Sequence, residues 1–151
     1  MPRLPDGDPA PETGELPPEA LATLAGSRLG MYVHVPFCAV RCGYCDFNTY
    51  TVTELGPGAT TATFVGSALA ELDVAARVLG SRSGPVDTVF VGGGTPTLLP
   101  AADLVRCVDG IRERFGLAPD AEVTTEANPD SVTAADFEVL AAGGFTRVSV
   151  G

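Results

Sequence analysis

The sequence predicts an α/β fold in which about four parallel strands are covered by outer helices. Short β-branched apolar runs alternate along the chain with longer segments whose apolar residues recur at helical spacing, and glycines follow several of these segments. The order β-α-β-α-β-α-β requires right-handed crossovers, which join parallel strands. The 151 residues are 45% hydrophobic and 19% charged, a globular composition with enough length for a hydrophobic core.

The first 26 residues differ in composition from the rest of the chain. They contain six of the thirteen prolines, set among aspartate, glutamate and glycine. Such a segment buries too little apolar surface to offset the entropy of ordering it. We predict a flexible Pro-rich extension over residues 1–26, with a short helical turn at 19–24 after Pro18, and a folded domain over residues 27–151.

The first strand and helix of this domain follow from two patterns. Residues 31–35 form an apolar run that ends at Pro36, as a strand would. Residues 63–79 are predicted to be a helix that ends before Gly80. Its apolar residues recur every three or four positions: Phe64, Ala68, Leu72, Ala76 and Leu79.

The remaining elements alternate in the same way. Strands are predicted at 86–91, 122–125 and 147–150, the first stopped by the glycines at 92–94. Helices are predicted at 101–115, with Gly116 past its end, and from Thr133, a plausible N-cap, to Ala142. A complete eightfold barrel takes ~250 residues, so we predict that the chain is the truncated front part of a TIM-type barrel. A small open α/β domain would leave Val148 and Val150 on an unpaired edge.

Charge and hydropathy exclude several classes of partner. The net charge is -10, the pI is near 4.3, and the nine basic residues are all arginines without a basic run. This charge argues against nucleic acid or an anionic membrane as the main partner. No apolar run approaches the ~18 residues of a membrane helix, and the first residues do not resemble a signal peptide. We therefore expect a cytoplasmic protein with no transmembrane segment and no nucleic-acid partner.

Three of the four cysteines lie within eight residues, directly after the first predicted strand. Cys38, Cys42 and Cys45 are spaced C-x3-C-x2-C, at the end of the strand where parallel sheets usually bind ligands. Disulfides are not expected in a reducing compartment, so this clustering indicates a metal site. A [4Fe-4S] cluster normally takes four thiolates, and three would leave one iron open to a substrate or cofactor.

Two other interpretations of these cysteines stay open at this point. Three cysteines and His34 could form a structural zinc site, or the cysteines could be unligated core residues. His34 lies within a strand, and zinc loops more often use paired C-x2-C units, which favours iron and sulfur. Cys107 stands three residues after Leu104 on the second predicted helix, so we predict a core thiol rather than a fourth ligand.

Four segments together resemble one known family. They are YVHVPFC at 32–38 with the following cysteines, VGGGTPT at 91–97, EANP at 126–129 and RVSVG at 147–151. The cysteine spacing resembles the radical S-adenosylmethionine (SAM) superfamily. The wider string resembles its branch of oxygen-independent coproporphyrinogen III oxidases and HemW-type haem chaperones. The resemblance extends from Tyr32 nearly to the end of the chain.

The resemblance implies a set of site residues and a chemistry. Cys38, Cys42 and Cys45 would hold a [4Fe-4S] cluster, and SAM would chelate its open iron. An electron from the cluster would then cleave the sulfonium of SAM. The implied SAM contacts are Tyr32, Tyr44, Gly93, Gly94, Thr95 and Glu126. Simpler roles also fit: a tight turn for the glycines, a solvated strand end for the glutamate and half-buried rings for the tyrosines. His34 receives no role, and no catalytic residue is assigned.

One position separates the two branches of the family. Oxidase-type loops have a further cysteine two residues after the third cluster cysteine, where this chain has Phe47. The resemblance therefore implies a haem chaperone that binds haem or a porphyrin and delivers it to an acceptor protein, with its haem-binding residues beyond Gly151. The alternatives are an oxygen-independent coproporphyrinogen III oxidase, a non-catalytic zinc-stabilised binding module, and nucleotide binding by the glycine segment alone.

Overall fold

The structure is a computed structural model that describes residues 7, 9, 11–24, 26–40, 42, 43, 45–51, 54 and 58–151. Its strands are β1 (Leu29–Val35), β2 (Phe37–Cys38), β3 (Tyr50–Thr51), β4 (Val86–Gly93), β5 (Leu117–Ala127) and β6 (Arg147–Val150). Its helices are α1 (Pro18–Ala22), α2 (Thr61–Leu79), α3 (Ala101–Phe115) and α4 (Ala134–Ala142). Every strand and helix predicted for the folded domain is therefore present.

The main sheet confirms the predicted fold class. Its four strands are parallel and lie in the order β1-β4-β5-β6. Each strand is added beside the previous one, without the reversal that creates the two halves of a doubly wound sheet. A sequential parallel sheet with one helix per crossover is the arrangement of a barrel segment.

The two faces of this sheet have different surroundings. Alternate residues of the strands pack with α2, α3 and α4 into one core. The core includes Val35, Val91 and Val123 from the strands, Leu104 from α3 and Leu140 from α4. The opposite, helix-free face carries Tyr32, which is 57% exposed, and Phe90, whose ring stacks on it at a centroid distance of 6.1 Å. Val150 on the edge strand β6 is 62% exposed. The core therefore lies entirely on the helical side.

Three strands are longer than the sequence predicts, and the first of them, β1, begins at Leu29 rather than 31. β4 continues through Gly92 and Gly93, because these glycines pair with His34 and Val35 of β1. β5 begins at Leu117 rather than 122, and an irregularity in its pairing with β4 separates Leu117 from the regular part. The small β2–β3 pair was not predicted, since two-residue strands carry no periodicity.

Helix capping follows the sequence signals. The side chain of Thr133 accepts a hydrogen bond from the Asp136 backbone N–H, and the Asp136 carboxylate accepts one from the Thr133 backbone N–H. These two hydrogen bonds confirm the predicted N-cap of α4. These contacts hold the pKa of Asp136 below its ordinary value, chiefly through the Thr133 hydroxyl.

Cys107 is 1% exposed in the core, as predicted. In the described part of the chain, no helix has both the length and the hydropathy to span a membrane.

Candidate functional site

The carboxyl ends of β4, β5 and β6 meet the cysteine loop, residues 38–49, around a cavity of about 270 Å³. The cavity brings together six of the residues predicted for the site: Cys42, Cys45, Gly93, Gly94, Thr95 and Glu126. It lies at the end of the parallel sheet where ligands are expected. Segments that are far apart in sequence thus converge where the sequence places the site.

The glycine turn, residues 92–95, packs directly on the end of β1 and the start of the cysteine loop. Gly93 has a φ of 118°, and a Cβ there would lie 2.7 Å from the carbonyl oxygen of Val35. A Cβ on Gly94 would overlap the carbonyl oxygen of Phe37 and lie 2.9 Å from Cys38 Sγ. Close backbone approach therefore requires glycine at both positions.

Backbone hydrogen bonds fix this approach. The Gly94 N–H donates to the Val35 carbonyl at 2.7 Å, and the Thr95 N–H donates to the Phe37 carbonyl at 2.7 Å. Phe37 itself is 2% exposed. The turn and the first cysteine are consequently one packed unit rather than two independent loops.

Glu126 faces the glycine turn from β5. Its Oε2 accepts the Gly93 N–H at 3.2 Å, and the side chain is only partly exposed. Burial and, second, the charge of Glu126 raise the pKa of Tyr32 above its ordinary value. A carboxylate has several acceptor positions, so Glu126 can also receive hydrogen bonds from an ammonium group or a hydroxyl. This placement differs from a freely solvated strand-end glutamate.

The three clustered cysteines differ in exposure. Cys38 is buried in β2, Cys42 is exposed, and Cys45 is half-buried with its Sγ 3.9 Å from Thr49 Oγ1. Cys42 and Cys45 face the cavity, and all three are free thiols. Within the described ranges, no three histidine, cysteine, aspartate or glutamate side chains converge closely enough to hold a metal ion. The structure thus places the three sulfur atoms around one turn, but not close enough together to bind one metal ion.

The donor set nevertheless suits an iron–sulfur cluster. Three soft thiolates are the ligands that such clusters take, and two of them border a cavity beside a glycine turn that leaves room for a ligand. His34, the proposed fourth ligand of a zinc site, has both ring nitrogens within hydrogen-bond distance of protein partners. A three-cysteine, one-histidine zinc site would require both the histidine and the loop to rearrange.

His34 instead connects β1 to the returning arm of the cysteine loop. Its Nε2 lies 2.8 Å from the Asn48 carbonyl oxygen, which only accepts, so Nε2 carries a proton and donates. In the neutral ring Nδ1 then accepts from the Tyr32 hydroxyl at 2.9 Å. No sequence pattern predicts this contact, because it depends on how the loop between residues 34 and 48 closes.

The remaining predicted residues lie elsewhere. Among the described residues, Tyr32 and Cys38 do not line the cavity: Tyr32 lies on the helix-free face and Cys38 lies behind Gly94. Tyr44 is outside the described residues. The cavity wall also includes Phe47, Asn128 and Ser149, which were not predicted as site residues. The last two belong to the EANP and RVSVG segments, so those motifs could have identified them.

The chain is similar to proteins of a known family. The family model described as the radical SAM superfamily matches residues 32–151. The chain is 50% identical over 137 residues to "Heme chaperone HemW" of Mycobacterium tuberculosis, covering 91% of this chain and 34% of the relative. It is 39% identical over 123 residues to "Heme chaperone HemW" of Escherichia coli, covering 82% and 31%.

A solved structure is also similar. The structure is that of coproporphyrinogen III oxidase (HemN) from Escherichia coli, which its title calls a radical SAM enzyme. The TM-score is 0.73 at 29% sequence identity, and the match covers 87% of this chain and 30% of that one. The chain thus spans about a third of the length of the proteins it matches.

Proposed function

The chain belongs to the radical SAM superfamily, and from that premise we propose that it carries the cluster and SAM-binding part of a haem chaperone. Such a protein binds haem and delivers it to an acceptor protein. The observation that carries this proposal is the 50% identity to a heme chaperone over 137 residues. Phe47 supports it, since this apolar ring borders the cavity at the position where oxidase-type loops have a further cysteine.

Membership of the superfamily implies a [4Fe-4S] cluster and SAM. We assign the cluster to Cys38, Cys42 and Cys45, and the amino-acid part of SAM to Gly93, Gly94 and Thr95. Bound together, the cluster and SAM supply reductive cleavage of the sulfonium.

The protein residues bind and orient these groups. The glycine turn permits close approach of the ligand, and Glu126 accepts hydrogen bonds from its ammonium group or a ribose hydroxyl. Tyr32 and Tyr44 are the other two proposed contacts, of which Tyr32 lies outside the cavity wall among the described residues. We place the protein in the cytoplasm, where the four free thiols would stay reduced.

The second candidate function is an oxygen-independent coproporphyrinogen III oxidase, an oxidoreductase of haem biosynthesis. The similarity to the coproporphyrinogen III oxidase structure favours it, with a TM-score of 0.73. Phe47 argues against it, because the cysteine of oxidase-type loops is missing there. A zinc-stabilised binding module is less consistent with the hydrogen-bonded His34.

Two assays on the complete, cluster-loaded protein separate these functions. We expect haem to bind, as followed by its absorption band, and to pass to an apo-acceptor haem protein. We expect no protoporphyrinogen when the protein is incubated anaerobically with coproporphyrinogen III, SAM and a reductant. Protoporphyrinogen formation would establish the oxidase instead, and zinc in place of iron in the purified protein would favour the binding module.

A further inference from the structure

Two turns of the cavity wall are joined by a small network of hydroxyl groups. Thr97 lies two residues after the glycine turn, and Ser131 ends a short helical segment, Pro129–Ser131, which begins at the last residue of the EANP segment. The two hydroxyl oxygens are 2.5 Å apart. Thr97 Oγ1 also lies 3.2 Å from the Asn128 backbone nitrogen, and Ser131 Oγ lies 2.9 Å from the Asn128 carbonyl oxygen.

The protons of this network can be assigned from donor and acceptor chemistry. The Asn128 carbonyl only accepts, so the Ser131 hydroxyl donates to it. Ser131 has no second proton, so Thr97 must be the donor between the two hydroxyls. Thr97 Oγ1 then accepts the Asn128 N–H. Each donor in this closed cycle has one acceptor, and satisfied networks of this kind are rigid.

The position of the network gives it a role at the cavity. Thr97 is 8% exposed, and in the described part of the chain neither Thr97 nor Ser131 lines the cavity. Both contact Asn128, which does line it and stands two residues after Glu126. The network therefore ties together two turns of the cavity wall that follow the adjacent strands β4 and β5.

We propose that Thr97 and Ser131 are positioning residues that hold Glu126 and Asn128 at a fixed separation from the glycine turn. They act through these neighbours rather than by contact with the ligand. A preformed separation lowers the ordering cost of binding, because the two turns need not be brought together by the ligand. This inference rests on the proposed function for the identity of the ligand, SAM.

The first test compares SAM affinity among variants of the complete, cluster-loaded protein. Thr97→Val keeps the shape of the side chain but leaves the Asn128 N–H without its acceptor, so we expect the Kd for SAM to rise roughly tenfold with unchanged iron content. Ser131→Ala should act in the same direction, and Thr97→Ser, which keeps the hydroxyl, should restore affinity. The matched control is Thr124→Val, because Thr124 is also a buried threonine, but it lies on β5 and donates to Glu122 outside the cavity.

A second measurement does not depend on SAM. Backbone hydrogen exchange at Asn128 in the complete, cluster-free protein should accelerate roughly tenfold in Thr97→Val and return towards the original rate in Thr97→Ser. Unchanged exchange in Thr97→Val would overturn the network, and faster exchange with unchanged SAM affinity would overturn its positioning role. If the unmodified protein does not bind SAM, the proposed function fails, while the exchange rates still decide whether the network joins the turns.

Discussion

Replacing Gly94 with alanine tests the packing of the glycine turn against the cysteine loop. The new Cβ would overlap the Phe37 carbonyl and lie 2.9 Å from Cys38 Sγ. Phe37 cannot easily move away, because its carbonyl accepts the Thr95 N–H at 2.7 Å and its ring packs edge-on against Phe64 at 5.8 Å. Overpacking of a tight site costs ~1–3 kcal/mol, and this fixed partner places Gly94→Ala at the upper end, about 2–3 kcal/mol.

Urea unfolding of the complete, cluster-free protein, followed by circular dichroism, measures this loss. Gly84→Ala is the matched control, since a Cβ there would meet no heavy atom within 4 Å, and it should change stability by less than ~1 kcal/mol. Iron incorporated per chain should also fall in Gly94→Ala, because Cys38 must shift. A Gly94→Ala protein with the original unfolding midpoint and full iron content would refute the close packing described for this turn.

Two further predictions concern other groups. His34→Leu removes both hydrogen bonds of the ring, so the returning arm of the cysteine loop loses its contact at Asn48. We therefore expect Cys45 in the cluster-free protein to be alkylated faster, and an unchanged rate would show that the histidine does not hold the loop. Burial, followed by the charge of Asp103, raises the pKa of Cys107 to about 11. Since the thiolate is the reactive form, alkylation of Cys107 should be far slower than that of exposed Cys42 at neutral pH and should increase as pH rises towards 11; equal rates would place Cys107 outside the core.

The architecture was largely predictable from the sequence because the strands and helices are periodic. Helix α3 has the predicted bounds, and Thr133 caps α4 as its side chain type suggests. The beginning of β5 was not predictable, since Pro119 and Asp120 disfavour a strand and the pairing with β4 is irregular there. Its strand character depends on a neighbour that is distant in sequence.

The candidate site was predictable as a set of motifs but not as an arrangement. The sequence identified Gly94 and Glu126, whereas their contacts with Phe37 and the Gly93 N–H depend on how separate strands meet. Phe47 was noted only as a difference between two branches of the family, and its position on the cavity wall comes from the structure. The network of Thr97 and Ser131 also joins two segments that carry no shared sequence signal.

We propose that three cysteines hold a cluster whose open iron binds SAM. Iron and acid-labile sulfide per chain, measured after anaerobic reconstitution of the complete protein, test it together with the EPR spectrum of the reduced sample with and without SAM. We expect about four irons and four sulfides, as in a cubane cluster, and a spectrum that changes on addition of SAM. Cys42→Ala should lose the cluster, while Cys107→Ala, a buried thiol outside the site, should keep it. Zinc instead of iron, or a full cluster whose EPR spectrum does not change when SAM is added, would contradict this assignment.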